Sequence, residues 1–343
     1  MFYICNNCKL RWEYPLDECP HCFSPLKAME SHGARVRSMI KVAIPTLYHP
    51  NVPYNILLLE DEEGNVWGHK SEKEYKVGDE FKTEPNSDPA AVAVWRVKYN
   101  YSEALEKVLE LAGGISVGSG SRILVLPTIV KPSHSYFRDN TSPEFLAAVL
   151  KMFIGRGVAA GNITVAGQSF DEVPVVAMAQ KSGLIAAGAD FGVQALDLAM
   201  SEFARVGNFD VSQKALDADL VINLAMEKVG QASATANMFK LMKKESYLGQ
   251  KYLSSDTQIA AQIEPLLPKM ITIGEAEFIQ RSNKLTAFLG LVLAGRLSRH
   301  VDRVFNEITQ SFKVPDTIKD IAITDIPVAG RTVKEVQYQA EIF

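Results

Sequence analysis

Four cysteines, and only four, occur in the 343 residues, as Cys5-x-x-Cys8 and Cys19-x-x-Cys22 with ten residues between the pairs. A C-x-x-C pair folds as a tight knuckle that turns both sulfurs to one point, and two knuckles complete a tetrahedron of thiolates. Zinc suits this soft four-sulfur set and is closed by it, with no position left for water. A rubredoxin-like structural zinc ribbon is therefore expected over residues 1–30, ligated by Cys5, Cys8, Cys19 and Cys22. Iron in an electron-transfer site is the alternative. So short a segment buries too little apolar surface to fold alone, and metal binding supplies its folding energy. His21 reads as a surface residue, because four sulfurs suffice. Clustered cysteines also favour metal over disulfides in a reducing compartment.

The N-terminus, MFYICNNC, has no basic start followed by an apolar core. The longest apolar run, Leu285 to Gly295, is about half the length of a membrane span. A cytoplasmic protein with no membrane partner is expected. With a net charge of −4 and scattered basic residues, the chain lacks the electrostatic footprint of a nucleic-acid binder. Its densest basic cluster, Lys240, Lys243 and Lys244, reads as a solvated helix face.

Beyond the ribbon the hydrophobic period changes twice. Residues 31–100 show short alternating runs at Arg35–Ile44, Tyr54–Glu60, Val66–His69, Glu80–Thr83 and Val92–Lys98, with turn signals between them. Five short strands at this spacing suit a small OB-type β-barrel. From residue 101 to 343 strands alternate with helices, which predicts an α/β domain with a mainly parallel sheet. Strands are expected at Arg122–Val130, Asn162–Ala166, Asp219–Leu224, Met270–Gly274 and Ile318–Thr324. Helices are expected from Ser102 to Ala112, after the cap Ser142-Pro143-Glu144, and over Val193–Ala204, Ala234–Lys244, Ile259–Leu267 and Ser298–Phe312. The fold class is thus multidomain: zinc ribbon, barrel, α/β domain. Residues 84–90 and Gly113–Ser121 are the expected joints.

In an open α/β sheet, ligands sit beyond the C-terminal strand ends. Those ends carry Lys131-Pro132-Ser133-His134, Gly167-Gln168-Ser169, Asn223 with Glu227-Lys228, and Glu275-Ala276-Glu277. Lys131, His134, Ser169 and Lys228 are the candidate catalytic residues. Glu275 and Glu277 would share a strand face and shift each other's pKa, or be two solvated rim carboxylates. No Gly-x-Gly-x-x-Gly follows a strand, and neither a phosphate-loop nor a nucleophile-elbow motif occurs. In the barrel, Tyr48, His49 and Tyr54 are candidate ligand-binding residues on an apolar surface, and with Trp67 they serve equally as barrel core and rim.

The ribbon and the stretch from Arg37 to Thr83 resemble the DUF35 family of acyl-CoA-associated proteins. The shared features are Thr46-Leu47-Tyr48-His49-Pro50, then Pro53-Tyr54 leading into Asn55-Ile56-Leu57-Leu58-Leu59-Glu60, then Val77-Gly78-Asp79-Glu80-Phe81. The resemblance implies a non-catalytic partner of a thiolase-type or ketoacyl (HMG-CoA) synthase-type enzyme, with acyl-CoA as partner and coenzyme A as bound ligand.

Arg122 to about Ile308 resembles the DUF362 family. The features are Ile123–Val130 with Pro127-Thr128, then Asn140-Thr141-Ser142-Pro143-Glu144, then Ile163-Thr164-Val165-Ala166-Gly167-Gln168-Ser169. Ala218-Asp219-Leu220-Val221-Ile222-Asn223-Leu224, Ala234–Phe239 and Leu293–Val304 with Val301-Asp302 continue the series. Met226-Glu227-Lys228 stands where that family has K-x-H, and no cysteine follows Cys22. Together the two resemblances imply an acyl-CoA-associated binding or scaffold subunit. The alternative is an enzyme acting on an acyl-CoA or small carboxylic substrate, with its site in the α/β domain.

Overall fold

The computed structural model describes residues 2–12, 18–29, 33–44, 52–62, 64, 66–71, 74–81, 91–98, 100–267, 269–281 and 285–340. Tyr48, His49 and the expected joint at 84–90 lie outside them. The chain divides into two units, Met1–Pro85 and Asn86–Phe343.

In the first unit β1 (Phe2–Cys5) pairs antiparallel with β2 (Arg11–Trp12) and β3 (Leu26–Met29), so that the knuckles are held by a three-stranded sheet. β4 (Ala34–Val42), β5 (Tyr54–Glu60), β6 (Val66–Ser71) and β7 (Glu80–Phe81) form a second antiparallel sheet in the order β6-β5-β4-β7. Along β5 the period of two is visible in burial. Leu57 and Leu59 face a small core with Val36 and Phe81, whereas Ile56 and Leu58 point outward.

The second unit is built on an eight-stranded sheet. Its elements in chain order are β8 (Val92–Arg96), α1 (Tyr101–Leu111), β9 (Ile123–Pro127), α2 (Pro143–Gly155), β10 (Ile163–Gly167), α3 (Val175–Lys181), α4 (Leu184–Ala189) and β11 (Gln194–Asp197). The hairpin β12 (Phe203–Val206) and β13 (Phe209–Ser212) follows, then α5 (Gln213–Asp217), β14 (Leu220–Lys228), α6 (Ser233–Met238), α7 (Lys244–Leu253) and α8 (Asp256–Ile263). Last come β15 (Met270–Gln280), β16 (Thr286–Gly295), α9 (Ser298–Thr309), β17 (Val328–Gly330) and α10 (Val333–Val336).

The sheet order is β11-β10-β9-β14-β15-β16-β8-β17. The first five strands run parallel, β16 is antiparallel to both its neighbours, and β17 is parallel to β8. Helices cover both faces. On β9, Ile123 and Val125 enter the core under α1 and α2, while Leu124 and Leu126 enter the core with Met238, Leu241 and Ile259. A strand buried on both faces reads as a continuous apolar run, which is how β9 was legible.

Several sequence expectations are corrected. Val92–Arg96 is not a barrel strand; it lies between β16 and β17 in the large sheet, because Val92, Ala93 and Val94 are all fully buried and need cover on both faces. Val193–Ala204 is not a helix. Gln194–Asp197 is the edge strand β11, and Asp197 accepts the Ala199 N–H to close a single 3₁₀ turn. Ile318–Thr324 falls in 3₁₀ turns, and the last strand is Val328–Gly330. Asn100 rather than Ser102 caps α1, accepting the Glu103 N–H. Ser142 caps α2 with Pro143 in its first turn, as the sequence suggested. The Leu285–Gly295 run supplies β16. Among the described residues no helix is long and apolar enough to cross a membrane.

Candidate metal centre and buried polar site

The two cysteine knuckles repeat one geometry. Lys9 N–H donates to the Cys5 carbonyl and Cys5 N–H to the Leu10 carbonyl; Phe23 N–H donates to the Cys19 carbonyl and Cys19 N–H to the Ser24 carbonyl. In each knuckle the residue after the second cysteine, Lys9 or Phe23, is left-handed, with φ of 63° and 56°. The turns bring Cys5 Sγ to 3.3 Å from Cys22 Sγ and Cys8 Sγ to 3.5 Å from Cys19 Sγ. All four sulfurs lie within 4.8 Å of one another. A tetrahedral zinc at about 2.3 Å from each ligand spaces its sulfurs about 3.8 Å apart, so the set fits that ion. His21 contributes no ligand atom to the cluster.

In the second unit a band of buried polar groups lies at the C-terminal ends of β9, β14 and β15. The 128–142 loop organises it. Thr141 Oγ1 accepts the Thr128 N–H at 2.8 Å and donates to the Leu224 carbonyl at 2.9 Å. Asn140 Oδ1 accepts the Val130 and Lys131 N–H groups at 2.8 and 3.2 Å, and its amide donates to the Lys131 carbonyl at 2.8 Å. Asn140 is fully buried, so truncation leaves two backbone N–H groups short of a partner, while the Lys131 carbonyl keeps the Ser133 N–H. Asn140→Ala is expected to cost about 2–3 kcal/mol in chemical denaturation of the whole chain, with an unchanged m-value.

Of the four catalytic candidates, three sit on this band's rim or within it. Lys131 is exposed, its Nζ 3.1 Å from Asp139 Oδ1. Lys228 is buried, and its Nζ donates to the Asp139 carbonyl at 2.7 Å. Burial lowers the Lys228 ammonium to about 8, with Asp139 opposing the shift and Lys131 adding to it. His134 is exposed, and its Nδ1 accepts the Tyr136 N–H at 3.2 Å, opening a 3₁₀ turn. Ser169 stands apart; it closes a local turn with Asp171.

Four ionisable groups are more deeply enclosed than the sequence suggested. Glu275 is not a rim carboxylate. It is fully buried, accepting the Ser142 N–H at 2.9 Å and the Tyr101 hydroxyl at 3.1 Å, with Arg138 Nη1 at 3.5 Å. Burial, rather than Glu277, is what raises its pKa. Lys240 is not on a solvated face; its Nζ donates to the Ile129 carbonyl, and burial takes it to about 8. Glu227 and Asp302 are both fully inside. Asp302 accepts the Ala234 N–H at 2.9 Å and the Thr235 N–H and hydroxyl at 2.8 and 2.5 Å. Neither Glu227 oxygen has a hydrogen-bond partner among the described residues. Burial first, and the Asp302 charge second, push the Glu227 carboxyl well above its ordinary range.

Asn223, expected at a strand end, is mid-strand, since β14 runs on to Lys228. Its amide reaches the Ala234 carbonyl and Ser298 Oγ, and its oxygen takes the Asn237 amide. The signal for this network was polar residues inside the otherwise apolar run LVINLAMEK. A concavity of about 520 Å³ is at the opposite strand ends, lined by residues that include Gly114, Ser116, Asp219, Lys269 and Arg296.

Residues 123–242 match a family model described as a domain of unknown function, DUF362. This covers β9 to just beyond α6 and includes Glu227, Lys228 and Lys240. No curated protein matches the chain. Among solved structures it is similar to one described as "Ltp2-ChsH2(DUF35) aldolase", 26% identical over 23% of this chain and 67% of that chain, with a TM-score of 0.18.

Proposed function

We propose that the chain is an acyl-CoA-associated scaffold subunit of a thiolase-type or ketoacyl (HMG-CoA) synthase-type condensing enzyme, working in the cytoplasm. Its first unit, a zinc ribbon with an OB-type barrel, would supply the docking face and help to enclose coenzyme A. The observation that carries this reading is the outer face of the β4–β5 sheet. Ile40 and Ile56 are directly paired across the strands and are 67% and 42% exposed, with Leu58 at 37% on the same side. An apolar row on a solvent face marks an interaction surface. The ordered ribbon, Pro53-Tyr54 strand and Gly78-Asp79 turn support the acyl-CoA assignment.

Size-exclusion of the purified chain with thiolase-type and ketoacyl synthase-type enzymes from the same source tests it. A stable complex is expected, and Ile40→Glu with Ile56→Glu is expected to weaken it by about a hundredfold. A chain that stays alone with every such enzyme, or a double variant that binds as well as wild type, removes the proposal.

The buried band of the second unit favours a second reading, an enzyme acting on an acyl-CoA or small carboxylic substrate. Buried lysines and carboxylates with displaced pKa values, gathered at the C-terminal ends of parallel strands, are the arrangement catalytic sites use. Turnover that survives both Lys131→Ala and His134→Ala would remove those two residues from the site.

A further inference from the structure

The Lys131–Asp139 loop joins two features that no described contact explains. The first is a surplus of positive charge. Lys131, Lys228 and Lys240 gather around one strand end, where Asp139 is held by Lys131 and faces Lys228, and Asp171 faces Lys240. Lys228 and Lys240 are both buried and donate to backbone carbonyls. Buried ammonium groups ordinarily face a counter-charge, and three ammonium groups beside two carboxylates leave the site short of an anion.

The second feature is an exposed aromatic wall. Tyr136 and Phe137 pack edge to face and are 72% and 56% exposed. Phe288 on β16 is 60% exposed and packs on Phe278 of β15 at 5.2 Å. The wall and the lysines are one construction. Gln280 donates to the Phe137 carbonyl at 3.0 Å and to Asp139 Oδ1 at 3.4 Å. Arg138, held left-handed at φ 54°, lays its guanidinium over the Phe278 ring at 4.8 Å while reaching Glu275. A non-glycine residue in that conformation is over-determined by its neighbours, and here it braces the loop between cations and rings.

We infer that this face binds a linear carboxylate, its head at Lys131 and Lys228 and its alkyl chain along Tyr136, Phe137 and Phe288. The cations select the charge, and the rings select the chain length. This inference deepens the second reading of the α/β unit and does not depend on the docking face of the first unit.

Calorimetric titration of the zinc-loaded full chain with octanoate at neutral pH tests it. Saturable binding at one site is expected, with butyrate and 1-octanol weaker by about tenfold or more. Lys131→Gln is expected to bring octanoate down to the level of 1-octanol. Phe137→Ser with Phe288→Ser is expected to bring it down to butyrate. All three positions are exposed, so thermal melts of these variants should match wild type. Equal affinity for octanoate and 1-octanol overturns the inference, as does octanoate binding that both variants retain, or no binding. Sedimentation of the chain with phosphatidylglycerol vesicles but no octanoate binding assigns the face to an anionic lipid surface, which also overturns it. If octanoate binds and no turnover of any acyl substrate is found, the enzyme reading fails while the binding site stands.

Discussion

Removal of zinc is expected to unfold the ribbon. The wild-type chain is expected to hold one zinc and show no visible absorbance, and Cys19→Ser is expected to lose the metal. Three antiparallel strands of two to four residues, Phe2–Cys5, Arg11–Trp12 and Leu26–Met29, are too short to supply much folding energy without the metal. Cys5 and Cys19 are the fully buried residues of the ribbon among those described. Structural zinc in a small finger contributes on the order of 10 kcal/mol or more, far above what such strands supply. A chelator should therefore make residues 1–30 sensitive to protease and leave the Asn86–Phe343 unit's melting unchanged, since that unit has its own cores. Iron with visible absorbance would make the ribbon an electron-transfer site. A ribbon that resists protease after zinc is gone would refute the folding role.

What was legible in the sequence follows from how local the cause is. The ribbon was, because two C-x-x-C pairs specify one metal through spacing alone. The parallel strands were, because Ile123–Pro127 and Leu220–Leu224 are apolar on both faces. The edges of the large sheet were not. Gln194–Asp197 and Val328–Gly330 are short, and only pairing with a neighbour makes them strands. Val92–Arg96 looked like its predecessors in the alternating series, and nothing local says that it crosses to another sheet. The site was legible in outline and misread in depth. Lys131 and Lys228 were singled out from their place at strand ends, whereas Lys240 was assigned to solvent and Glu275 either to solvent or to a pair with Glu277. Burial of a charged side chain is decided by what packs over it, and charge in a sequence window argues the other way. Glu227 was visible as a polar residue at the end of an apolar strand, with nothing local to say that its carboxylate is enclosed.

Glu227 and Asp302 should give the protein a stability that falls as pH rises. Both carboxyls are raised by burial, Asp302 to about 7 and Glu227 well above its ordinary range. Asp302 ionises first, because three donors from Ala234 and Thr235 stabilise its charge, whereas Glu227 has none and keeps its proton. A folded-state pKa above the unfolded value means that the native state binds more protons. Stability is then complete below about pH 4 and is lost as pH rises through the folded pKa values. Glu227→Gln keeps the shape and removes the charge that must otherwise form. The variant should match wild type near pH 5, gain roughly 1–3 kcal/mol at pH 9, and flatten the melting profile between them. Asp302→Ala acts in the opposite sense. It strips the acceptor from two backbone N–H groups and a hydroxyl inside the protein, and should cost about 3–5 kcal/mol at neutral pH. Urea melts of both variants across that range decide the matter. A Glu227→Gln profile parallel to wild type would mean that Glu227 is already ionised in the fold, held by a cation that the polar band around it would then have to supply.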